Sequence, residues 1–133
     1  MNAPFTPMTA QQLYPLYLKH PTICTDTRAI THDCLFFALK GENFDANQYA
    51  EQAIHAGAAY VIVDNIQYKK DDRYILTDNA LNALQDLARL HRQRLSIPVI
   101  GVTGSNGKTT SKELINSVLS QHYITFATHG NLN

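Results

Sequence analysis

Apolar residues along the chain fall into short runs separated by polar, glycine-marked breaks, with periods that switch between strand-like and helix-like. "TPMTAQQLYPLYLKHP" predicts a helix capped by Thr9, with Leu13, Leu16 and Tyr17 on one face. Pro15 sits inside it, so a short or irregular helix is expected. "TICTDTR" predicts a brief strand running into a polar turn. "CLFFALKG" is apolar on both faces, the pattern of an inner strand, and ends at Gly41. "DANQYAEQAIHAGA" predicts a helix capped by Asp45, with Tyr49, Ala50, Ala53 and Ile54 on one face and Gly57 as its stop. "AAYVIVD" (58–64) and "YILTD" (74–78) predict two further strands, separated by the charged loop "NIQYKKDDR".

The longest helical pattern is "NALNALQDLARLHRQRLS". Leu81, Leu84, Ala88 and His91 form its stripe, with Leu87, Leu90 and Arg94 beside it. His91 is read as the edge of a packed face rather than a ligand. "IPVIGVTG" predicts a strand, "KTTSKELINSVLSQ" a helix with Leu114, Ile115, Val118 and Leu119 inward, and "YITFAT" (123–128) a last strand. Strands alternating with helices predict an α/β fold: a small N-terminal αβ domain, then a strand, phosphate loop, helix and strand opening a parallel-sheet domain. The expected boundaries are 1–80 for the first domain, 81–96 for a linking helix and 97–133 for the start of the second.

The 133 residues are enough for one ordinary domain, or a small one with part of another. Eleven basic and eleven acidic side chains balance to a formal charge of zero. That excludes a broad basic footprint for nucleic acid or an anionic membrane, so any anion site is local. No apolar run reaches the ~20 residues that span a bilayer. The start lacks a basic segment followed by an apolar run, so no signal peptide is expected. A cytoplasmic protein follows as the default, and a monomer is the separate expectation. Cys24 and Cys34 are in no CxxC pair or zinc-spaced cluster and are read as buried, reduced thiols.

Candidate chemistry concentrates in "GVTGSNGKTT" (101–110). Gly104 and Gly107 let the backbone take positive φ and turn N–H groups toward an anion. A helix starting near Lys108 adds its positive end, worth roughly 0.3–1 kcal/mol. Lys108 suits the outer phosphates of a nucleotide, and the Thr109 hydroxyl suits Mg²⁺. The common phosphate-loop pattern G-x-x-x-x-G-K-[ST] would place its first glycine at 102, where this chain has Val102. The bland alternative is a glycine-rich turn with an incidental lysine. The strand leading in and the amphipathic helix leading out argue against it.

The stretch "TGSNGKTT" resembles the ATP loop of the Mur ligases, and the folylpolyglutamate synthetases carry a related loop. "TDTRAITHDCLFFALKGENFDANQYAEQAIHAGAAYVIVD" (25–64) is similar to the N-terminal UDP-binding domain shared by the family members that add the third amino acid and the final dipeptide. "ATHGNLN" looks most like the dipeptide-adding member. The resemblance implies an ATP-dependent amide ligase of peptidoglycan precursor synthesis. It would add D-alanyl-D-alanine to a UDP-N-acetylmuramoyl tripeptide through an acyl phosphate, with ATP and Mg²⁺ as cofactors. Gly104, Ser105, Asn106, Gly107, Lys108, Thr109 and Thr110 would hold ATP, with Lys108 catalytic and Thr109 on the metal. Asp26, Thr27 and Arg28 match the segment at the UDP end of the substrate, with Glu42, Asn43 and Phe44 as a second nucleotide-side segment.

Arg28 can offer a fork to phosphate or uracil, or simply pair with Asp26 or Asp33. Phe44 can stack on a base or fill a core, and Asp45 can merely cap a helix. Asn131 and Asn133 match a segment near the family's active site. Members of this family are much longer than 133 residues, so the remaining metal, adenine and amino-acid sites are expected after Asn133, leaving this piece inactive alone. The sister ligase adding the third amino acid, and a non-catalytic UDP-sugar or nucleotide-binding module, remain open. A phosphate-loop kinase or GTPase fits less well, because about a hundred residues precede the loop.

Overall fold

The computed structural model of the chain describes residues 6–130. It divides into two compact units, Met1–Ser96 and Ile97–Asn133. In the first, helix α1 (Ala10–Lys19) is followed by strand β1 (Ile23–Cys24) and a single 3₁₀ turn at Thr27–Ala29. Strand β2 (Leu35–Phe37), a 3₁₀ turn at Ala46–Tyr49, helix α2 (Ala50–His55) and strand β3 (Tyr60–Val63) come next. A third 3₁₀ turn (Ile66–Tyr68), strand β4 (Tyr74–Leu76) and helix α3 (Ala80–Arg94) complete the unit.

The four strands form one sheet in the order β1-β2-β3-β4, every neighbour parallel. Leu35 lies opposite Tyr60, and Val61 opposite Tyr74. Consecutive strand residues then divide between two cores, as the period of two requires. Phe36, Val61, Val63 and Tyr74 pack with Ala50, Ala53 and Ile54 of α2 on one face. Leu35, Phe37, Ile62 and Ile75 pack with Leu13 and Tyr14 of α1 and Ala80 and Leu87 of α3 on the other. Helices on both faces explain why β2 and β3 read as apolar throughout.

Helix α1 is short, as expected, at 10 residues, and Pro15 lies within it without ending it. Its ring is exposed, away from Leu13 and Tyr14, so the lost N–H is on the solvent side. The Gln12 side chain closes the start of α1 by accepting from the Thr9 N–H at 2.8 Å. The expected helix after Asp45 begins as the 3₁₀ turn, which leaves Tyr49 exposed. On α3 the packed face is rotated from the predicted stripe. Ala80 and Leu87 are buried, with Ala83, Leu84 and Leu90 against them, while Leu81 is exposed. Asn79 caps the start of the helix, its side chain accepting from the Asn82 N–H at 2.8 Å. His91 sits at the edge of the face, its Nδ1 3.2 Å from the Tyr14 hydroxyl.

The second unit contains helix α4 (Lys108–Leu119). The strands predicted at 97–104 and 123–128 are absent: these stretches have no ladder partner among the described residues, and a strand exists only as a member of a ladder. Leu114 and Val118, expected inward, are exposed, as are Ile97, Val99, Ile100, Ile124 and Phe126. Residues 123–128 are instead tied to α4 by side chains: Thr125 Oγ1 meets Asn116 Oδ1 at 2.8 Å, and Lys112 Nζ donates to the Thr128 carbonyl.

Candidate functional site

In a parallel sheet all strands end on the same edge, and the loops leaving that edge are where such folds bind ligands. Two predicted substrate segments leave the first unit's sheet there: Asp26–Arg28 after β1, and Glu42–Phe44 after β2.

Asp26 caps the turn Thr27–Ala29, its Oδ1 accepting from the Arg28 N–H at 2.9 Å. The Arg28 fork grips the same carboxylate, Nε at 3.0 Å from Oδ1 and Nη2 at 2.6 Å from Oδ2. The Arg28 side chain is 87% exposed. Hydrogen bonds from Arg28 hold the Asp26 carboxyl at about 2, well below the usual carboxylate range. The ion pair weighed as the plain reading of Arg28 is thus the contact present, with Asp26 as partner. Asp33, the other candidate, pairs with His20 at 2.8 Å. Thr27 lies in the turn itself.

The loop after β2 closes on itself: the Gly41 N–H donates to the Phe44 carbonyl at 2.8 Å, and the Ala46 N–H to the Leu39 carbonyl at 3.1 Å. Glu42 and Asn43 project to solvent. Phe44 is 51% exposed, so it fills no core. It stacks instead on Tyr49, ring centroids 5.5 Å apart and planes 16° apart. Asp45 caps the turn Ala46–Tyr49 by accepting from the Asn47 N–H at 2.9 Å.

Sequence reasoning missed the residues behind this loop. Asn47 is fully buried and joins three groups. Its Nδ2 donates to Asp45 Oδ1 at 2.7 Å and to Asp64 Oδ1 at 2.8 Å. Its Oδ1 accepts from the Asp64 N–H at 3.2 Å. Asp64, just past β3, also accepts from the Ala80 N–H at the start of α3 at 3.3 Å. Lys40 Nζ lies 3.4 Å from Asp45 and 3.9 Å from Asp64. The available signal was Asp45 two residues before Asn47, the spacing of a side-chain-capped turn.

The phosphate-loop candidates lie in the second unit. Gly104 has φ +149° and Gly107 φ +76°, both positive, as the sequence reading required. Gly107 is the residue before α4, which starts at Lys108 and leaves its first-turn N–H groups without partners inside the helix. Lys108 Nζ bends back to the Gly104 carbonyl at 2.6 Å. Thr109 and Thr110 are in the first turn of α4. A polar hollow of ≈ 240 Å³ is lined by Glu113, Asn116, Thr125, Thr128 and His129, among others. Asn131 and Asn133 lie outside the described residues.

Cys24 and Cys34 are both free and buried in the α2-side core. Burial, followed by the neighbouring Cys24, pushes the Cys34 thiol up to about 11.

The Mur ligase middle domain family matches residues 102–133. The chain is 46% identical over 113 residues to the UDP-N-acetylmuramoyl-tripeptide–D-alanyl-D-alanine ligase of Bacillus subtilis (strain 168), covering 84% of this chain and 25% of the relative. The Escherichia coli (strain K12) protein of the same name is 43% identical over 111 residues, covering 84% and 24%. Among solved structures, a crystal structure of MurF from Acinetobacter baumannii superposes with a TM-score of 0.72 at 34% identity, covering 98% of this chain and 31% of that one. MurF ligase from Thermotoga maritima in complex with ADP superposes with a TM-score of 0.70 at 32% identity, covering 84% and 26%. The chain thus spans about a quarter of the length of the curated relatives it matches.

Proposed function

The chain belongs to the Mur ligase family, and on that premise we propose that it carries the substrate-anchoring domain and the phosphate loop of an ATP-dependent ligase joining D-alanyl-D-alanine to a UDP-N-acetylmuramoyl tripeptide. The observation that carries this reading is the 46% identity to a relative named for that reaction, running through most of this chain. The sister ligase that adds the third amino acid is the alternative within the family.

In the division of labour proposed, the first unit holds the UDP end of the substrate. Asp26, Thr27 and Arg28 stand at one loop of the ligand-binding edge, and Glu42, Asn43 and Phe44 at the next. The Asp26 carboxylate pre-orients the Arg28 fork, which lowers the entropy lost when the guanidinium meets a phosphate or a uracil carbonyl. Phe44, exposed and already stacked on Tyr49, offers a rigid apolar face suited to a base.

The second unit fits a nucleotide triphosphate. Two positive-φ glycines and a helix starting at Lys108 support this reading, since such a turn can aim N–H groups at phosphate oxygens. ATP, when bound, supplies the phosphoryl group that activates the substrate carboxylate as an acyl phosphate. Lys108 would leave the Gly104 carbonyl to neutralise phosphate charge, and the Thr109 hydroxyl would hold Mg²⁺. The backbone of Gly104, Ser105, Asn106 and Gly107, with Thr110 nearby, would wrap the phosphates. Positioning both reactants supplies roughly 7–11 kcal/mol of catalysis, more than one lysine and one hydroxyl provide. The chain alone is therefore expected to anchor substrate without turning it over.

Calorimetry tests the anchor. UDP should bind this chain, and Arg28→Ala should weaken it about tenfold or more, the value of a charge-assisted pair. Undiminished UDP binding in that variant would reject the role given to Arg28. Phosphate release at an enzymatic rate from ATP, Mg²⁺, the UDP-muramoyl tripeptide and D-Ala-D-Ala would reject the expected inactivity of the chain alone.

A further inference from the structure

We infer that Asn47 is a positioning residue, a buried brace that fixes the loop bearing Phe44 to the carboxyl end of β3 and to the start of α3. The inference rests on the proposed role of that loop in holding a uridine nucleotide, and deepens it by naming what sets the loop's shape.

One side-chain amide makes the whole connection. Both Nδ2 hydrogens are used, one on the loop carboxylate Asp45 and one on the strand-end carboxylate Asp64. The Oδ1 takes the Asp64 backbone N–H. Two hydrogens and an acceptor are what a primary amide offers, and no other side chain of this size supplies the same set. Asp64 passes the restraint on, because its second oxygen takes the first N–H of α3. Lys40 lies against both carboxylates from the loop's other end.

Charge decides what this cluster is for. Two carboxylates and one ammonium sum to one negative charge, so the cluster repels a phosphate rather than seating one. Its service is geometric. Asp45 is bonded to the Asn47 amide while it caps the turn Ala46–Tyr49, and that turn carries Tyr49 under Phe44. Two exposed rings would otherwise be free to separate, losing the preformed face. Asn47 is fully buried, so a loop conformation that broke these bonds would leave its polar atoms unsatisfied, which favours the one that keeps them.

Two readouts on the whole chain test this. Amide exchange should show Gly41 and Ala46, whose N–H groups close the loop, losing about tenfold or more in protection in Asn47→Ala, while Val61 and Ala38 in the sheet keep theirs. Calorimetry with UDP should show Asn47→Ala about tenfold weaker, and Asn47→Ala/Phe44→Ala no weaker than Phe44→Ala alone. A merely structural residue would give additive losses, and additive losses overturn the inference. Unchanged protection of Gly41 and Ala46 overturns it whatever UDP does. Should the unaltered chain fail to bind UDP, the substrate reading falls, and exchange alone decides for or against the brace. If Asn47→Ala loses protection in the sheet as well, Asp45→Ala, which cuts the same brace at its partly exposed end, takes its place with the same outcomes.

Discussion

At the scale of single residues, Asp26 and Arg28 show how local chemistry is settled two positions apart. The carboxylate receives a backbone N–H and a guanidinium fork from the same neighbour, and its pKa falls to about 2. A carboxyl whose folded pKa lies below its unfolded value contributes stability that is present above the unfolded value of about 3.9 and is lost as pH falls toward 2. Both side chains are exposed, so solvent screening keeps that contribution small. The titration itself is the sharper measurement. The Asp26 carboxyl carbon, followed by NMR, should titrate near 2 in the unaltered chain and return to the ordinary range in Arg28→Ala. A midpoint that does not move would show that Arg28 is not the cause. Phe44 teaches the complementary lesson. Its type allowed either a core or a stacking role, and only its exposure and its contact with Tyr49 decided between them.

At the scale of elements, the inner strands of the first unit were the most legible. Leu35, Phe36 and Phe37, and Val61, Ile62 and Val63, are apolar at every position, which only a strand covered on both faces can satisfy. Helix α3 was legible in place and length but not in rotation. Leucines at 81, 84, 87 and 90 fill more of the helix surface than one packed face can use, so periodicity leaves the choice open. The contacts with α1 and β2 pick Leu87 and leave Leu81 outside. Leu87→Ala should therefore cost about 2–5 kcal/mol of stability. Leu81→Ala should stay within about 0.5 kcal/mol. Urea denaturation of both variants distinguishes the packed face found from the stripe predicted, since the latter requires Leu81 to be the costlier loss.

At the scale of the whole molecule, the two units differ in how their apolar residues are used. The first buries large side chains in two layers about its four-stranded sheet. Among the described residues of the second, none is buried. A helix of 12 residues without a buried face is marginal on its own. Amide exchange should then divide the chain in two: slow in β2 and β3, and approaching unprotected rates in α4. Equal protection in α4 and β3 would contradict this. Predicted strands at 97–104 and 123–128 failed for the same reason. An apolar sequence proposes a strand, but a ladder partner makes one, and no partner is found among the described residues.

The sequence by itself determined the α/β class, the positions of β1 to β4, the glycines that take positive φ before α4, and the resemblance of "TGSNGKTT" to a ligase loop. These are properties of runs and spacings, which local sterics and periodicity dictate. Tertiary structure alone decided which face of α3 is packed, that Phe44 lies on Tyr49, and that Asn47 joins Asp45 to Asp64. Asn47 and Asp64 are 17 residues apart, and no spacing rule links them. They meet because parallel strands bring their carboxyl ends to one edge, where a buried amide must find partners or leave its polar atoms unsatisfied.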